Sequence, residues 1–184
     1  MNTKESIRQE FSKIRANISF RSQKDCKIAE KVLKLFSKNL PSGVFSYVSI
    51  GSEVNTINII EQLFPYAKIF VPFVNGANMQ TAVLDNLSEL DNVDRIGNIY
   101  SNDVASQFLT PLPQNSIALV PMLAFSDNLC RLGYGKGYYD RFFEQSNITK
   151  IGLAYDEQFC QFIPQESFDV LLDIIVTPTR ILRR

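Results

Sequence analysis

The sequence predicts an α/β fold: a three-layer α/β/α sandwich, Rossmann-like, built around a central and mainly parallel sheet. Three observations predict it. From residue 44 onward, short apolar runs alternate with helical periods. Those runs are nearly continuous in hydrophobicity, as strands buried on both faces are. The 184 residues are 45% hydrophobic and 21% charged, which suits one domain with a real core. We read residues 1–184 as that single domain.

The elements follow in order. Ile7, Phe11, Ile14 and Ile18 form one stripe and predict a helix over 3–18. Ile28, Ala29, Val32, Leu33 and Phe36 predict a second helix over 22–38, with Ser22 as its cap. VFSYVSI (44–50) reads as a buried strand, TINIIEQLF (56–64) as a helix and KIFVPFV (68–74) as the next strand, with 79–84 pairing beside it. The stretch 85–113 is polar and turn-rich and reads as loops. SIALVPMLAF (116–125) begins as a strand, and GYYDRFFEQ (137–145) reads as a helix. TKIGLAY (149–155) and DVLLDIIVT (169–177) are the late strands. In such sheets ligands bind beyond the carboxyl ends of the strands, which points to residues 48–55 and 121–140.

Composition excludes several chemistries. Nineteen Lys plus Arg balance nineteen Asp plus Glu, so no surplus charge marks nucleic acid or a membrane surface as partner. No apolar run approaches the ~18 residues of a membrane span. The charged start MNTKESIRQEF lacks the apolar region of a secretory signal, and the odd cysteines Cys26, Cys130 and Cys160 form no CxxC pair. A reducing, cytoplasmic setting is expected. The cysteines read as small buried hydrophobes, with Cys130, beside Arg131, the one candidate for reactivity. The chain has no histidine, so Ser-His-Asp and Cys-His systems and His-ligated metals are ruled out. Acid–base work falls to Asp, Glu, Lys or Tyr, and an oxygen-ligated Mg²⁺ stays available.

The most informative segment is RLGYGKGYYDR (131–141), which follows an apolar strand and opens a helix. Gly133, Gly135 and Gly137 can all take positive φ and let a ligand approach the backbone. Successive N–H groups could then form a phosphate-binding nest, with Arg131 and Lys136 supplying charge. The loop is neither GxxxxGK[ST] nor GxGxxG. A glycine turn with scattered charges is the plain alternative. Asp140 suits the first helical turn whatever the function, and beside a nucleotide it could hold Mg²⁺. Of the adjacent Tyr138 and Tyr139, one is expected in the core and the other against a planar ligand.

RLGYGKGYYDR, with PMLAF before it, resembles the signature of the 5-formyltetrahydrofolate cyclo-ligases, also called methenyltetrahydrofolate synthetases. The resemblance runs in order through Lys4-x-x-x-Arg8, YVSIGSEVNT (47–56), IGLAYDEQF (151–159) and DVLLDIIVT. It implies ATP-dependent closure of 5-formyltetrahydrofolate, with or without a polyglutamate tail, to 5,10-methenyltetrahydrofolate. ADP and phosphate are released after phosphorylation of the formyl oxygen and attack by N10. Cofactors implied are ATP as co-substrate and Mg²⁺. Oligomeric state stays open, and a monomer suffices.

The resemblance assigns roles residue by residue. Lys4, Arg8 and the stretch Arg131, Leu132, Gly133, Tyr134, Gly135, Lys136, Gly137, Tyr138 and Tyr139 are expected to bind ATP. Arg131, Lys136 and Tyr138 are the expected catalytic groups. Arg8, Val48, Glu53, Tyr134 and Tyr138 are expected to meet the folate, with Glu53 accepting from pterin N–H groups. Asp140 and Asp173 are the expected Mg²⁺ ligands. Asp173 lies inside an apolar run, so it needs a partner, either a cation or a structural ion pair.

From the residues alone, Lys4, Arg8 and Arg15 share one helical edge and could clamp phosphates, or form a solvated face. Glu53 could equally be an ordinary acid before a helix. Phe168 departs from the pattern of relatives, which commonly carry His there before Asp169. The rivals are a related enzyme acting on another small substrate and a nucleotide-binding module without turnover.

Overall fold

A computed structural model of the chain describes residues 3–76, 78–91 and 111–184. Seven strands form one sheet in the order β3-β2-β1-β4-β7-β8-β9. These are β1 (Gly43–Ser46), β2 (Lys68–Asn75), β3 (Asn78–Val83), β4 (Ser116–Val120), β7 (Thr149–Leu153), β8 (Ile174–Val176) and β9 (Ile181–Arg183). β2, β1, β4, β7 and β8 run parallel, and the edge strands β3 and β9 are antiparallel to their neighbours. A second, two-stranded sheet pairs β5 (Ala124–Phe125) with β6 (Arg131–Leu132). The mainly parallel sandwich expected from the sequence is the fold observed.

The strands are buried on both faces because both faces are covered. Val44, Ile117, Leu119 and Ile151 pack with Ile28, Val32, Ile59 and Ile60. Those residues come from the helices α2 (Arg21–Leu35) and α3 (Ile57–Leu63). Phe45, Ala118, Val120 and Ile175 pack toward α4 (Tyr138–Glu144) through Phe143 and Phe142. The first helix, α1 (Lys4–Ala16), does not cover the sheet. Ile7 and Phe11 pack instead on Leu123, Ala124 and Leu132 of the β5–β6 hairpin.

Several boundaries differ from expectation. Thr3, the first residue of the predicted span, is the cap of α1 rather than part of the helix and accepts the Ser6 amide at 3.2 Å. The second helix starts at Arg21, with Phe20 as its N-cap in the left-handed region (φ 57°), so Ser22 lies inside the helix and caps nothing. That start puts the Arg21 guanidinium on the carbonyls of Gly51 and Glu53, at 3.2 and 3.0 Å. The run 169–177 forms a strand only at Ile174–Val176: the amides of Asp169 and Leu172 go to Glu166 and Leu129 rather than to β7, and the Asp173 carboxylate binds Lys150. Leu87–Asp91 forms a 3₁₀ turn within the stretch read as loops, and residues 92–110 of that stretch lie outside the described residues. The cysteines are not uniformly buried: Cys26 is exposed, Cys160 is half-buried and Cys130 is buried. Among the described residues, no helix is long and apolar enough to cross a membrane.

Phe45 anchors the α4 face of the sheet. Its ring is fully buried, 4.8 Å from Phe142 and 6.3 Å from Tyr139 between centroids. Phe45→Ala is expected to cost about 3–5 kcal/mol in a denaturant melt, since the rigid strand cannot close the cavity. A loss below about 1 kcal/mol would mean that α4 does not depend on this contact.

Candidate active site

Strand order reverses between β1 and β4. The chain leaves β1 toward β2 on one side and later enters β4 on the other. The segments after these two strands therefore diverge and leave a crevice at the carboxyl ends. A cleft of about 430 Å³ opens there. Val48, Ile50 and Glu53 line it from the segment after β1, and Pro72, Val74 and Met79 from the β2–β3 hairpin. The glycine loop, residues 133–137, leaves β6 and crosses the cleft before α4 begins. Because α1 rests on the β5–β6 hairpin, Lys4 and Arg8 reach the same space.

The loop's geometry explains its composition. Gly135 (φ 91°) and Gly137 (φ 66°) occupy the left-handed region, while Gly133 does not. A Cβ on Gly135 would also stand 3.0 Å from the Arg8 guanidinium carbon. Arg8 donates through Nε to the Gly133 carbonyl at 3.1 Å and pairs with Glu5 at 3.2 Å. Arg131 is buried and pairs with Asp140 Oδ1 at 2.8 Å, yet its Nε has no hydrogen-bond partner among the described residues. A buried charged donor left unpaired is costly, so an acceptor arriving in the cleft would relieve it. Lys136 is exposed on the loop, with no hydrogen bond or ion pair among the described residues. Tyr138 and Tyr139 point apart, as the sequence predicts for adjacent residues of a helix. Tyr139 packs near Phe45 and under Arg131, while Tyr138 donates its hydroxyl to the Gly76 carbonyl at 3.1 Å.

Lys4 is held by two carboxylates, Glu166 Oε2 at 2.5 Å and Asp169 Oδ2 at 2.6 Å, with the exposed Phe168 ring 5.7 Å from its ammonium. Burial alone would lower the Lys4 pKa, but the hydrogen bonds and charges of Asp169 and Glu166 prevail and raise it.

The opposite wall carries Glu53, which is buried. Its Oε2 accepts the Ile50 amide at 3.0 Å, and its Oε1 accepts the Tyr134 hydroxyl at 2.9 Å. Burial raises the Glu53 pKa, while the Ile50 and Tyr134 hydrogen bonds and the Arg15 charge pull against it. The segment is fixed from within: Thr56 donates to the Tyr47 carbonyl at 2.7 Å, and the Tyr47 hydroxyl donates to Val54 at 2.9 Å. Arg15 departs from the clamp reading. It is buried and does not join Lys4 and Arg8 in lining the cleft. Cys130 is buried and its thiol is pushed up by desolvation, which argues against the reactivity expected of it.

The cleft thus brings together every expected site residue but one. Asp140 lines it, while Asp173 does not; Asp173 pairs with Lys150 Nζ at 3.0 Å and accepts the Lys150 amide at 2.8 Å. Lys150 gives Asp173 the structural ion pair that the sequence allowed it. Among the described residues, no three acidic or thiol groups cluster as a metal cage. Sequence reasoning missed Glu166, Asp169, Pro72, Val74 and Met79. Only Asp169 carried a signal, through its place beside Phe168; the hairpin residues look like any strand.

The 5-formyltetrahydrofolate cyclo-ligase family model matches residues 1–178. A 5-formyltetrahydrofolate cyclo-ligase from Haemophilus influenzae is 28% identical over 96% of this chain and 100% of its own. A probable 5-formyltetrahydrofolate cyclo-ligase from Caenorhabditis elegans is 32% identical over 71% of this chain and 69% of its own. Among solved structures, a 5,10-methenyltetrahydrofolate synthetase from Mycoplasma pneumoniae superposes with a TM-score of 0.71 at 26% identity, covering 95% of this chain and 98% of that one.

The Lys4 site gives a signed pH prediction. With its pKa raised above 10.5 in the folded state, its contribution to stability is fully present below 10.5 and is lost as pH rises beyond it. The stability gap between wild type and Lys4→Met should stay constant from neutral pH to 10.5 and close above it. Denaturant melts at stepped pH measure this; a gap that closes on the acid side instead would assign the effect to the carboxylates.

Proposed function

The chain belongs to the 5-formyltetrahydrofolate cyclo-ligase family, and on that premise we propose that its cleft closes 5-formyltetrahydrofolate to 5,10-methenyltetrahydrofolate at the expense of ATP. The observation that carries the reading is the meeting in one cleft of a cationic glycine loop and a buried, hydrogen-bonded carboxylate. The first suits phosphates and the second suits a ring rich in N–H donors.

ATP is expected on the side of Lys4, Arg8 and the 131–139 loop. Arg131, whose buried Nε has no partner among the described residues, is suited to donate to a phosphate oxygen, and exposed Lys136 can follow the transferring group. Tyr138 is expected to bound the phosphate side of the reacting centre. Glu53, Val48 and Tyr134 are expected to hold the folate, with Arg8 near the junction of the two ligands. The γ-phosphoryl group passes to the formyl oxygen as its bond to the ADP oxygen breaks. N10 then attacks the formyl carbon, the C–O bond breaks, and phosphate leaves with that oxygen while N10 loses its proton. An amide oxygen is a poor leaving group and phosphate a good one, which is why the ATP is needed. Catalysis then rests on positioning and on neutralising charge.

Mg²⁺ fits only in part. Asp140 lines the cleft, and its Oδ1 serves Arg131 and the Val170 amide while its Oδ2 carries no hydrogen bond among the described residues. One such carboxylate suits a cation that keeps its waters and takes phosphate oxygens as further ligands. Asp173, paired with Lys150, is assigned to the structure of the sheet edge instead.

The test is absorbance in the methenyl-folate band with protein, 5-formyltetrahydrofolate, ATP and Mg²⁺. We expect an ATP-dependent rise that chelation of Mg²⁺ abolishes. Lys136→Ala should lower kcat on the order of 10²-fold with unchanged stability, because the side chain is exposed. No rise, with ATP binding intact by calorimetry, would replace this reading by a nucleotide-binding module without turnover.

A further inference from the structure

Arg15 is one of the few charged side chains the fold buries, with 5% of its surface exposed. Its three nitrogens serve three separate segments. Nε donates to Ser52 Oγ at 3.0 Å, on the turn after β1. One terminal nitrogen donates to the Met122 carbonyl at 3.0 Å, after β4. The other donates to the Tyr134 hydroxyl at 2.5 Å, on the glycine loop. Burying a guanidinium is costly unless its donors are satisfied, and here they are.

The directions of these bonds matter. Arginine has no acceptor, so the Tyr134 oxygen must accept from Arg15. The hydroxyl proton then has one destination, Glu53 Oε1 at 2.9 Å. Glu53 Oε2 takes the Ile50 amide. Both carboxylate oxygens are thereby oriented, and each keeps a further lone pair. A second arginine works from the other side: Arg21 donates to the carbonyls of Gly51 and Glu53. The turn bearing Glu53 is thus gripped from both α1 and α2, and Arg15 bridges it to the glycine loop alongside the direct Tyr134–Glu53 bond.

We propose that Arg15 is a positioning residue for the folate side of the cleft: it locks the Tyr134–Glu53 pair and so sets the acceptor geometry offered to the N–H edge of the pterin ring. It does this without touching ATP, although it shares a helical edge with Lys4 and Arg8. The inference rests on the proposed function for its choice of ligand but not for its geometry. Burial pushes the Glu53 pKa up, and the Arg15 charge opposes that rise together with the Ile50 and Tyr134 hydrogen bonds.

The experiment is steady-state kinetics on Arg15→Met, Arg15→Lys and the Arg15→Met/Tyr134→Phe double variant, with KM measured separately for 5-formyltetrahydrofolate and ATP. Arg15→Met should raise the folate KM about tenfold or more, as loss of a charged hydrogen bond allows, and leave the ATP KM within about twofold. Arg15→Lys should recover part of the loss, since one ammonium cannot serve three acceptors in a plane. The double variant should be no worse than Arg15→Met alone, because both act on one network. A rise in the ATP KM alone, equal rises in both constants, or multiplicative effects would each overturn the proposal. Should Arg15→Met fail to fold, the same readings on Arg15→Lys decide. Hydrogen exchange separates this proposal from the function itself. If wild type shows no turnover, the functional reading fails. The Arg15 lock then stands only if its variants exchange faster at the amides of both 50–54 and 133–135; unchanged exchange there overturns it.

Discussion

Ile7 and Phe11 leave water only because Leu123, Ala124 and Leu132 meet them on the β5–β6 hairpin. That contact decides where the N-terminal cations go. Burying two such side chains stabilises by about 1.5–3 kcal/mol each. Partly exposed ion pairs such as Arg8 with Glu5 contribute about 0–1 kcal/mol. The apolar contact therefore holds α1 in place, and the charged edge follows it. Had α1 covered the sheet, as α2, α3 and α4 do, Lys4 and Arg8 would be far from the glycine loop. The hairpin serves both sides of the contact: both its strands receive α1, through Ala124 and Leu132, and β6 also carries Arg131, from which the loop departs.

Within the cleft, protein charges are satisfied by one another. Lys4 is held by Glu166 and Asp169, Arg131 by Asp140, and Arg8 by a loop carbonyl and Glu5. Phosphates meeting Lys4, Arg8 or Arg131 exchange partners rather than neutralise bare cations, so each new bond there is worth the difference between two interactions, whereas Lys136 has no partner to give up among the described residues. Arg131 Nε stands apart as a buried donor with no partner to give up among the described residues. Glu53 shows the complementary logic, since its hydrogen bonds offset part of the desolvation that drives its pKa up.

Sheet topology explains why these groups converge. A parallel sheet needs covering on both faces, and the crossovers after β1 and β4 diverge to opposite sides. The antiparallel β2–β3 hairpin extends the wall, tied to α4 by the Tyr138–Gly76 hydrogen bond.

Much was legible in the residues themselves. Continuous apolar runs at residues 44, 68, 116 and 149 required strands buried on both faces, because such runs cannot otherwise leave water. The glycines of the 131–141 segment marked a backbone free to take positive φ, and Gly135 and Gly137 do so. The absence of histidine closed off whole chemistries by composition alone. Tertiary structure decided the rest. Arg15 and Arg8 occupy one edge of one helix, yet one is buried as a lock and the other faces the cleft; periodicity gives an angle but not the neighbour met at that angle. Asp173 invited a cation as readily as an ion pair, and only pairing of β7 with β8 brought Lys150 to it. Glu166 and the β2–β3 hairpin carry no local signal, since their place in the cleft comes from long-range packing. Local patterns record what a segment must bury; which partner does the burying is known only when segments distant in sequence meet.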